Sequence, residues 1–442
     1  MIGKRFQGSP SMQANSNRSI DDLVETQRTG FSLDRPFYSD AEIFERDRER
    51  VFRNHWVLAA HASQFEQAGD YRLFDVAGES IILVRDRAGD IRAHYNVCRH
   101  RGSRVMLEPY GNVPAMACRY HGWTYALDGS LRAAQHMPED FDRSQYGLRP
   151  CHVRNLEGLL FICLAEDRAP DFNAVAEGLR PYLVLHGIAS ARVAEQRTFP
   201  VHANWKLVVE NYLECYHCKP AHREYCAVEI KADSIGDGSP AALARYEARE
   251  REWRVNASRL ETLLAEVGTS LPLDQRLATT PIVAAYRAPL RVSHVTATEN
   301  GQPVAPLMGG FREYDGGETA LAADPLTYML AYNDYAVFFA FVPRDADHTD
   351  IVCTWLVQGE AHEGKDYDLA RLTWLWTTTT DQDKAIVENN AAGARSPSYQ
   401  PGPVSLLEAA VAAFREWYLS SIGPSSRASR LNEVRGGRYF TA

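Results

Sequence analysis

A chain of 442 residues exceeds what a single hydrophobic core ordinarily serves, so two domains, or one domain with a large insertion, are expected. Apolar residues make up 45% and charged residues 24%, ordinary values for a globular protein, which sets disorder aside as the main state. The 48 Lys and Arg against 57 Asp and Glu leave a net charge of -9 with no long basic run, which argues against nucleic-acid binding, because phosphate contacts supply most of that affinity.

In chain order, residues 1 to about 20 are polar and lack the apolar region of a secretory signal, so a mobile lead-in and a cytoplasmic location are expected. Residues 32–53 read as a turn and then a helix, with Ser39 as its cap and Ile43, Phe44 and Val51 on its apolar side. From 56 to 164 short alternating or apolar runs are punctuated by Gly89-Asp90 and Asp128-Gly129, and a small all-β unit is predicted. Beyond Pro170 helices alternate with long strands, and a second domain is expected to begin. A strand is predicted at 192–199, a helix from 205 to about 217, and a charged helical insert at 241–266. Residues 291–298, the Asn300-Gly301 turn and the runs 326–332, 336–342 and 351–357 predict an antiparallel sheet. Asn333 and Asp334 interrupt the apolar stretch 326–342, which is rich in strand formers, and this argues against a membrane span. Amphipathic helices at 368–390 and 405–420 close the chain.

Eight cysteines in a long chain without a secretory signature point to metal ligands or buried thiols rather than a disulfide framework. Cys98-Arg99-His100 is followed, after 17 intervening residues, by Cys118-Arg119-Tyr120-His121. Two thiolates and two imidazoles on paired short loops hold either a tetrahedral zinc or a two-iron, two-sulfur cluster with nitrogen ligands on its outer iron. A non-enzymatic protein with a structural zinc is the alternative of another class, although zinc pairs more often run Cys-x2-Cys then His-x3-5-His.

Further on, Glu210-Asn211-Tyr212-Leu213-Glu214-Cys215-Tyr216-His217 leads into Cys218-Lys219-Pro220-Ala221-His222. A continuous helix would set Glu210, Glu214 and His217 along one side, at i, i+4 and i+7, with His222 about 140° from His217. Pro220 ends or kinks such a helix, after which the chain can turn back and bring His222 beside His217 at one metal. Two neutral imidazoles and one carboxylate make the facial triad that leaves open positions on iron(II).

Together these residues resemble the α subunits of Rieske non-haem iron oxygenases. The likeness rests on the Cys-x-His and Cys-x2-His loops with Arg101-Gly102-Ser103 and Gly122-Trp123-Thr124-Tyr125 behind them, on the His-x4-His segment, and on Ser398-Tyr399-Gln400-Pro401-Gly402-Pro403. Arg119 stands where many relatives have Pro. The resemblance implies an α+β chain with an N-terminal segment, 1–50, packing on the catalytic domain. An all-β Rieske iron–sulfur domain, 51–170, and a helix-grip catalytic domain with an antiparallel sheet, 171–442, would follow. It implies a Rieske 2Fe-2S cluster on Cys98, His100, Cys118 and His121, and a mononuclear non-haem iron(II) on His217, His222 and an acid of the late Asp-x4-Glu pattern. Asp383 matches that acid, with Asp381 its competitor. Asn211 matches a family residue near the iron. Glu214, three positions before the first iron His, matches the acid that bridges the cluster of one subunit to the iron of the next in a homotrimer.

Glu at that position, in a Glu-Cys-Tyr-His-Cys context, and Asp366-Tyr367-Asp368-Leu369 resemble the branch that oxidises quaternary ammonium compounds, which includes glycine betaine, stachydrine and carnitine oxygenases. The resemblance implies hydroxylation or N-demethylation of a small betaine-like substrate with O2; an aromatic-acid ring-hydroxylating oxygenase is the alternative. The sequence has no G-x-G-x-x-G fingerprint and no flavin or plant-type cluster motif, so NAD(P)H-derived electrons are expected to arrive through a separate reductase or ferredoxin. A quaternary ammonium group cannot accept hydrogen bonds, so its recognition needs aromatic faces, for which Tyr286, Tyr328, Tyr332, Tyr335, Phe338 and Phe339 are candidates.

Overall fold

The computed structural model describes residues 18–256, 283–323 and 325–424. The polar stretch 1–17 and residues 257–266 of the expected insert lie outside them.

Between 57 and 163, short strand-forming runs separated by turns build three small antiparallel sheets. Ile91–Tyr95, Glu79–Arg85, Asp70–Val76 and Tyr110–Asn112 lie side by side in that order. Val57–His61, Leu159–Cys163 and His152–Leu156 form a second sheet, and Met116–Ala117, Thr124–Tyr125 and Leu131–Ala133 a third. A separate core of Ile82, Val84, Met116, Trp123, Tyr125 and Leu131 underlies the third sheet and buries Cys98 and Cys118 with it. The Asp128-Gly129 turn admits only glycine: φ is +89°, and a Cβ there would lie 2.5 Å from His94 Cε1.

Six strands then form one antiparallel sheet, in the order Ala191–Val201, Thr349–Gln358, Tyr335–Pro343, Thr327–Ala331, Gly317–Ala323, Val283–Pro289. Both of its faces are covered, which is why its strands read as nearly continuous apolar runs. One face, with Leu330, Val337, Phe339 and Trp355, packs against Leu372, Leu375 and Trp376 of the helix Leu369–Ala394. The other, with Met329, Ala336, Phe338 and Leu356, packs against Leu179, Tyr182 and Leu183 of the helix Asn173–Leu185. That helix was hidden in the sequence by its internal Pro181. Asp368 caps the long helix by accepting the Arg371 N–H at 2.9 Å.

One strand expectation is corrected, and one strand is added. Residues 291–298 form turns, because Pro289 ends the edge strand and Arg291 is tied to the Cys226 carbonyl at 2.9 Å and to Asp233 at 2.7 Å. Gly317–Ala323, poor in β-branched and aromatic residues, is nevertheless a strand, held by its two neighbours. Among the described residues no helix is long and apolar enough to cross a membrane.

The N-terminal helix Ala41–Arg50 is capped by Asp40, whose carboxylate accepts from Glu42 N at 2.7 Å and Ile43 N at 3.3 Å. Ser39, the expected cap, bonds back to the Arg35 carbonyl instead. This helix meets the helix Trp205–Tyr212 and the C-terminal helix Ala409–Ile422 through buried charge. Asp47 accepts from Lys206 Nζ at 2.6 Å, Trp205 Nε1 at 2.9 Å and Tyr418 Oη at 2.8 Å. Beside it, Arg415 forks onto Glu210 at 2.8 and 2.7 Å. At the ends of the described chain, Phe31 bridges Pro403, and Arg46 reaches both Asp21 and the Ile422 carbonyl.

Candidate metal centres

The first centre sits on two loops that repeat one another. Gly102 N returns to the Cys98 carbonyl at 3.0 Å, and Gly122 N to the Cys118 carbonyl at 3.0 Å. Both glycines have positive φ, +77° and +71°. The thiols point into the core and the rings outward: Cys98 and Cys118 are buried, His100 and His121 exposed. His100 Nδ1 faces His121 Nδ1 at 3.1 Å, and the His100 ring stacks on Trp123 at 4.9 Å. Tyr125 Oη accepts the Arg99 N–H at 3.0 Å and lies 3.3 Å from Cys98 Sγ, which leaves its hydroxyl hydrogen for the sulfur.

At the second centre the expected long helix stops early. It ends at Tyr212, and residues 213–217 form a turn in which Glu214 Oε2 accepts the backbone N–H groups of Tyr216 and His217. A side chain that binds local N–H groups competes with the helical carbonyls, which accounts for the break. Glu210 therefore shares no face with His217 and belongs to the Arg415 pair. A short helical turn, Cys218–Ala221, carries Pro220 and ends at His222, whose φ of −125° turns the chain back.

His217, His222 and Asp383 come together there, and among the described residues no other group of three or more His, Cys, Asp and Glu side chains brings its ligand atoms within 4.8 Å of one another. His217 Nε2 lies 3.1 Å from His222 Nε2 and 3.4 Å from Asp383 Oδ1; His222 Nε2 lies 3.0 Å from the same oxygen. Ligands at right angles on an ion with bonds of about 2.1 Å stand about 3.0 Å apart, so the triangle fits one face of an octahedron. Asp381, by contrast, is exposed.

The protons tell the same story. His217 Nδ1 meets Glu214 Oε1 at 2.6 Å, so the ring carries its hydrogen there. Gln382 gives its amide N–H to Glu224 at 2.8 Å, leaving its oxygen to accept from His222 Nδ1 at 2.9 Å. In neutral rings both Nε2 atoms are lone pairs facing a carboxylate, an arrangement that takes up a proton at His217 in the metal-free protein and suits a metal ion in that proton's place. Burial opposes charge on His217, but Asp383 and Glu214 outweigh it and push its pKa up to about 10. Burial likewise disfavours the Asp383 carboxylate, yet the two rings hold it below the usual range. Asn211 Nδ2 lies 3.3 Å from His217 Nε2, and its buried Oδ1 has no hydrogen-bond partner. The donors at both centres thus fit the groups that the sequence implied. Sequence reasoning misses Gln382 and Tyr125, although Gln382 directly precedes Asp383 and Tyr125 closes the Gly122-Trp123-Thr124-Tyr125 run behind the second cluster loop.

The aromatic candidates divide. Tyr286, Tyr328, Tyr332, Tyr335 and Phe339 belong to the sheet face that carries the helix of Asp383, whereas Phe338 points to the opposite core and is set aside.

Residues 55–154 match the Rieske [2Fe-2S] domain, and 188–423 the ring hydroxylating alpha subunit (catalytic domain). The glycine betaine monooxygenase oxygenase subunit of Pseudomonas aeruginosa is 34% identical over 93% of this chain and 94% of its own length. The carnitine monooxygenase oxygenase subunit of Escherichia coli is 37% identical over 42% of this chain and 50% of that one. Among solved structures, a quaternary ammonium Rieske monooxygenase has a TM-score of 0.68 at 22% identity, covering 91% of this chain and 98% of its own. The loops, the triad and these matches converge: the chain belongs to the Rieske ring-hydroxylating oxygenase family, as a catalytic subunit that carries a 2Fe-2S cluster and a mononuclear non-haem iron.

Proposed function

We propose that this oxygenase hydroxylates or N-demethylates a small betaine-like quaternary ammonium compound. The oxygenase reading is carried by the triangle of His217 Nε2, His222 Nε2 and Asp383 Oδ1, a donor set that would hold iron with further positions free for O2. The substrate class is supported by the likeness to a glycine betaine enzyme along 93% of the chain.

In this reading Cys98, His100, Cys118 and His121 hold the cluster, and His217, His222 and Asp383 the iron. When bound, the cluster supplies single electrons and the iron activates O2. Glu214 and Gln382 fix the ring orientations of the two iron histidines, and Asn211 presents its amide beside His217. One oxygen atom enters an N-methyl C–H bond, and the other leaves as water with two electrons and two protons. The resulting N-hydroxymethyl group loses its hydroxyl proton and breaks its C–N bond, the electron pair staying on nitrogen, so that formaldehyde, a tertiary amine and a proton are released.

The electrons come from a separate NAD(P)H-dependent reductase or ferredoxin in the cytoplasm. In a homotrimer, the exposed His100 and His121 would face Glu214 of the partner subunit. Exposed Val97, Leu107 and Tyr120 around the cluster and Tyr216 beside Glu214 suit such a contact. Segment 1–50, Rieske unit 51–170 and catalytic unit 171–442 remain the proposed division.

The test is NADH-driven O2 consumption with a surrogate reductase, across glycine betaine, carnitine and aromatic acids. Formaldehyde formed with a quaternary ammonium compound supports the reading; a dihydroxylated aromatic acid as the sole product overturns it.

A further inference from the structure

On the sheet face that looks toward the iron-bearing helices, Glu318 shares its side with Ala320 and is the diagonal neighbour of Tyr286. Glu229 comes down on it from the segment after His222. The two are 3% and 1% exposed. Each carboxyl acts electrostatically on the other, and Tyr332 Oη donates to Glu318 Oε2 at 3.0 Å. Glu229 Oε1 has no hydrogen-bond partner. Tyr225, Tyr286 and Tyr328 pack against the core yet keep part of their surface accessible, which marks a recess in the interior. Tyr225 joins this recess to the iron site, its ring 6.4 Å from His222 and 5.3 Å from Trp376.

Two acids buried against each other, one oxygen without a partner, disfavour the empty protein. Lys231 does not cancel the effect. Its ammonium stands 3.6 Å from the centroid of the Tyr286 ring and acts on both acids, as Arg287 does on Glu318. Both carboxyls remain pushed up even so, by burial first and, for Glu229, by the charge of Glu318. What such a site lacks is a cation that asks for no hydrogen bond. A trimethylammonium group is one: its charge is diffuse, its surface apolar, and it is held by ring faces and negative charge together.

We propose that Glu229 and Glu318 are the specificity-determining seat for the substrate's permanent positive charge, walled by Tyr225, Tyr286 and Tyr328. This rests on the quaternary ammonium reading above and deepens it. It also explains selectivity, since a neutral ring or an anion placed there would leave the acids uncompensated.

The test is calorimetric titration of the holoenzyme with glycine betaine, tetramethylammonium and tert-butylacetate, the last having the shape of glycine betaine with carbon in place of nitrogen. Glu229→Gln and Glu318→Gln are compared with wild type, together with the melting temperature of each ligand-free protein. The expected result is that each variant binds both cations roughly tenfold or more weakly. Their affinity for tert-butylacetate should hold or improve, and their melting temperatures should equal or exceed that of wild type. Unchanged cation affinity in both variants overturns the acid seat while the betaine reading stands. A wild-type protein that binds no trimethylammonium compound removes both. Variants that melt lower and lose cation and isostere alike show a structural role, which also overturns the proposal.

Discussion

Glu214 Oε1 accepts the Nδ1 hydrogen of His217 at 2.6 Å, on the opposite edge of the ring from the nitrogen that faces Asp383. The same carboxylate binds two backbone N–H groups with its other oxygen, so its position is fixed before any metal binds. In Glu214→Gln the side chain keeps its volume but loses the charge that orients the ring. Both metals should load, while cluster-to-iron transfer slows by roughly two orders of magnitude. Single-turnover oxidation of the pre-reduced cluster, mixed with O2 and substrate and followed by absorbance, measures this; a wild-type rate removes Glu214 from the electron path.

Asp383→Ala deletes one corner of the triangle and should abolish iron retention and oxygenation, with the Rieske absorbance intact because the ligand sets are separate. Asp381→Ala, at an exposed position of the same helix, should leave iron content near wild type. Metal analysis of the two purified variants decides, and normal iron in Asp383→Ala would move the carboxylate role elsewhere.

Tyr125→Phe removes the hydroxyl that lies 3.3 Å from Cys98 Sγ. A hydrogen bond to a cluster sulfur stabilises the reduced, more negative state, so its loss should lower the cluster potential by tens of millivolts. A spectroscopic redox titration reads the shift, and an equal or higher potential would contradict the assigned donor.

Burial pushes His186 down to about 3 and His61 down to about 4 from the ordinary 6.5. Folded values below the unfolded one mean that their stability contribution is complete above pH 6.5 and is lost as pH falls toward 3 to 4, because the unfolded chain takes up protons the folded chain refuses. Each group costs up to about 1.4 kcal/mol per pH unit in that window. The melting temperature should therefore decline on acidification below pH 6.5. In His186→Gln, which keeps a partner for Thr319 Oγ1, the slope should be shallower.

Lys206 and Asp47 are fully buried at 2.6 Å, and Lys206→Met leaves the carboxylate without its counter-charge. The expected loss is about 3–5 kcal/mol. Arg251→Ala, which breaks an exposed pair with Glu247, should cost about 0–1 kcal/mol. Thermal or chaotrope denaturation of both variants makes the comparison.

The chemistry was more legible in the sequence than the scaffold around it. The cluster loops and the His217/His222 pair show because their spacing carries them, and Pro220 announced the turn that joins the two rings. Glu214 was placed on a helix face because nothing in residue propensity marks a helix that stops at Tyr212; the stop comes from the side chain's own bonds to the backbone. The Asn173–Leu185 helix and the Gly317–Ala323 strand were obscured by Pro181 and by small residues, since tertiary packing decides such segments. Glu229 and Glu318 could not be paired in advance, because 88 intervening residues separate them and only the packing of the helical segment after His222 on the sheet brings them together.

Arg46 holds Asp21 at one end of the described chain and the Ile422 carbonyl at the other. The two ends thus leave from the same patch of surface. A reductase joined at either of these two points would be tethered to one common origin, so the order of fusion should matter less than linker length in an engineered single-chain system.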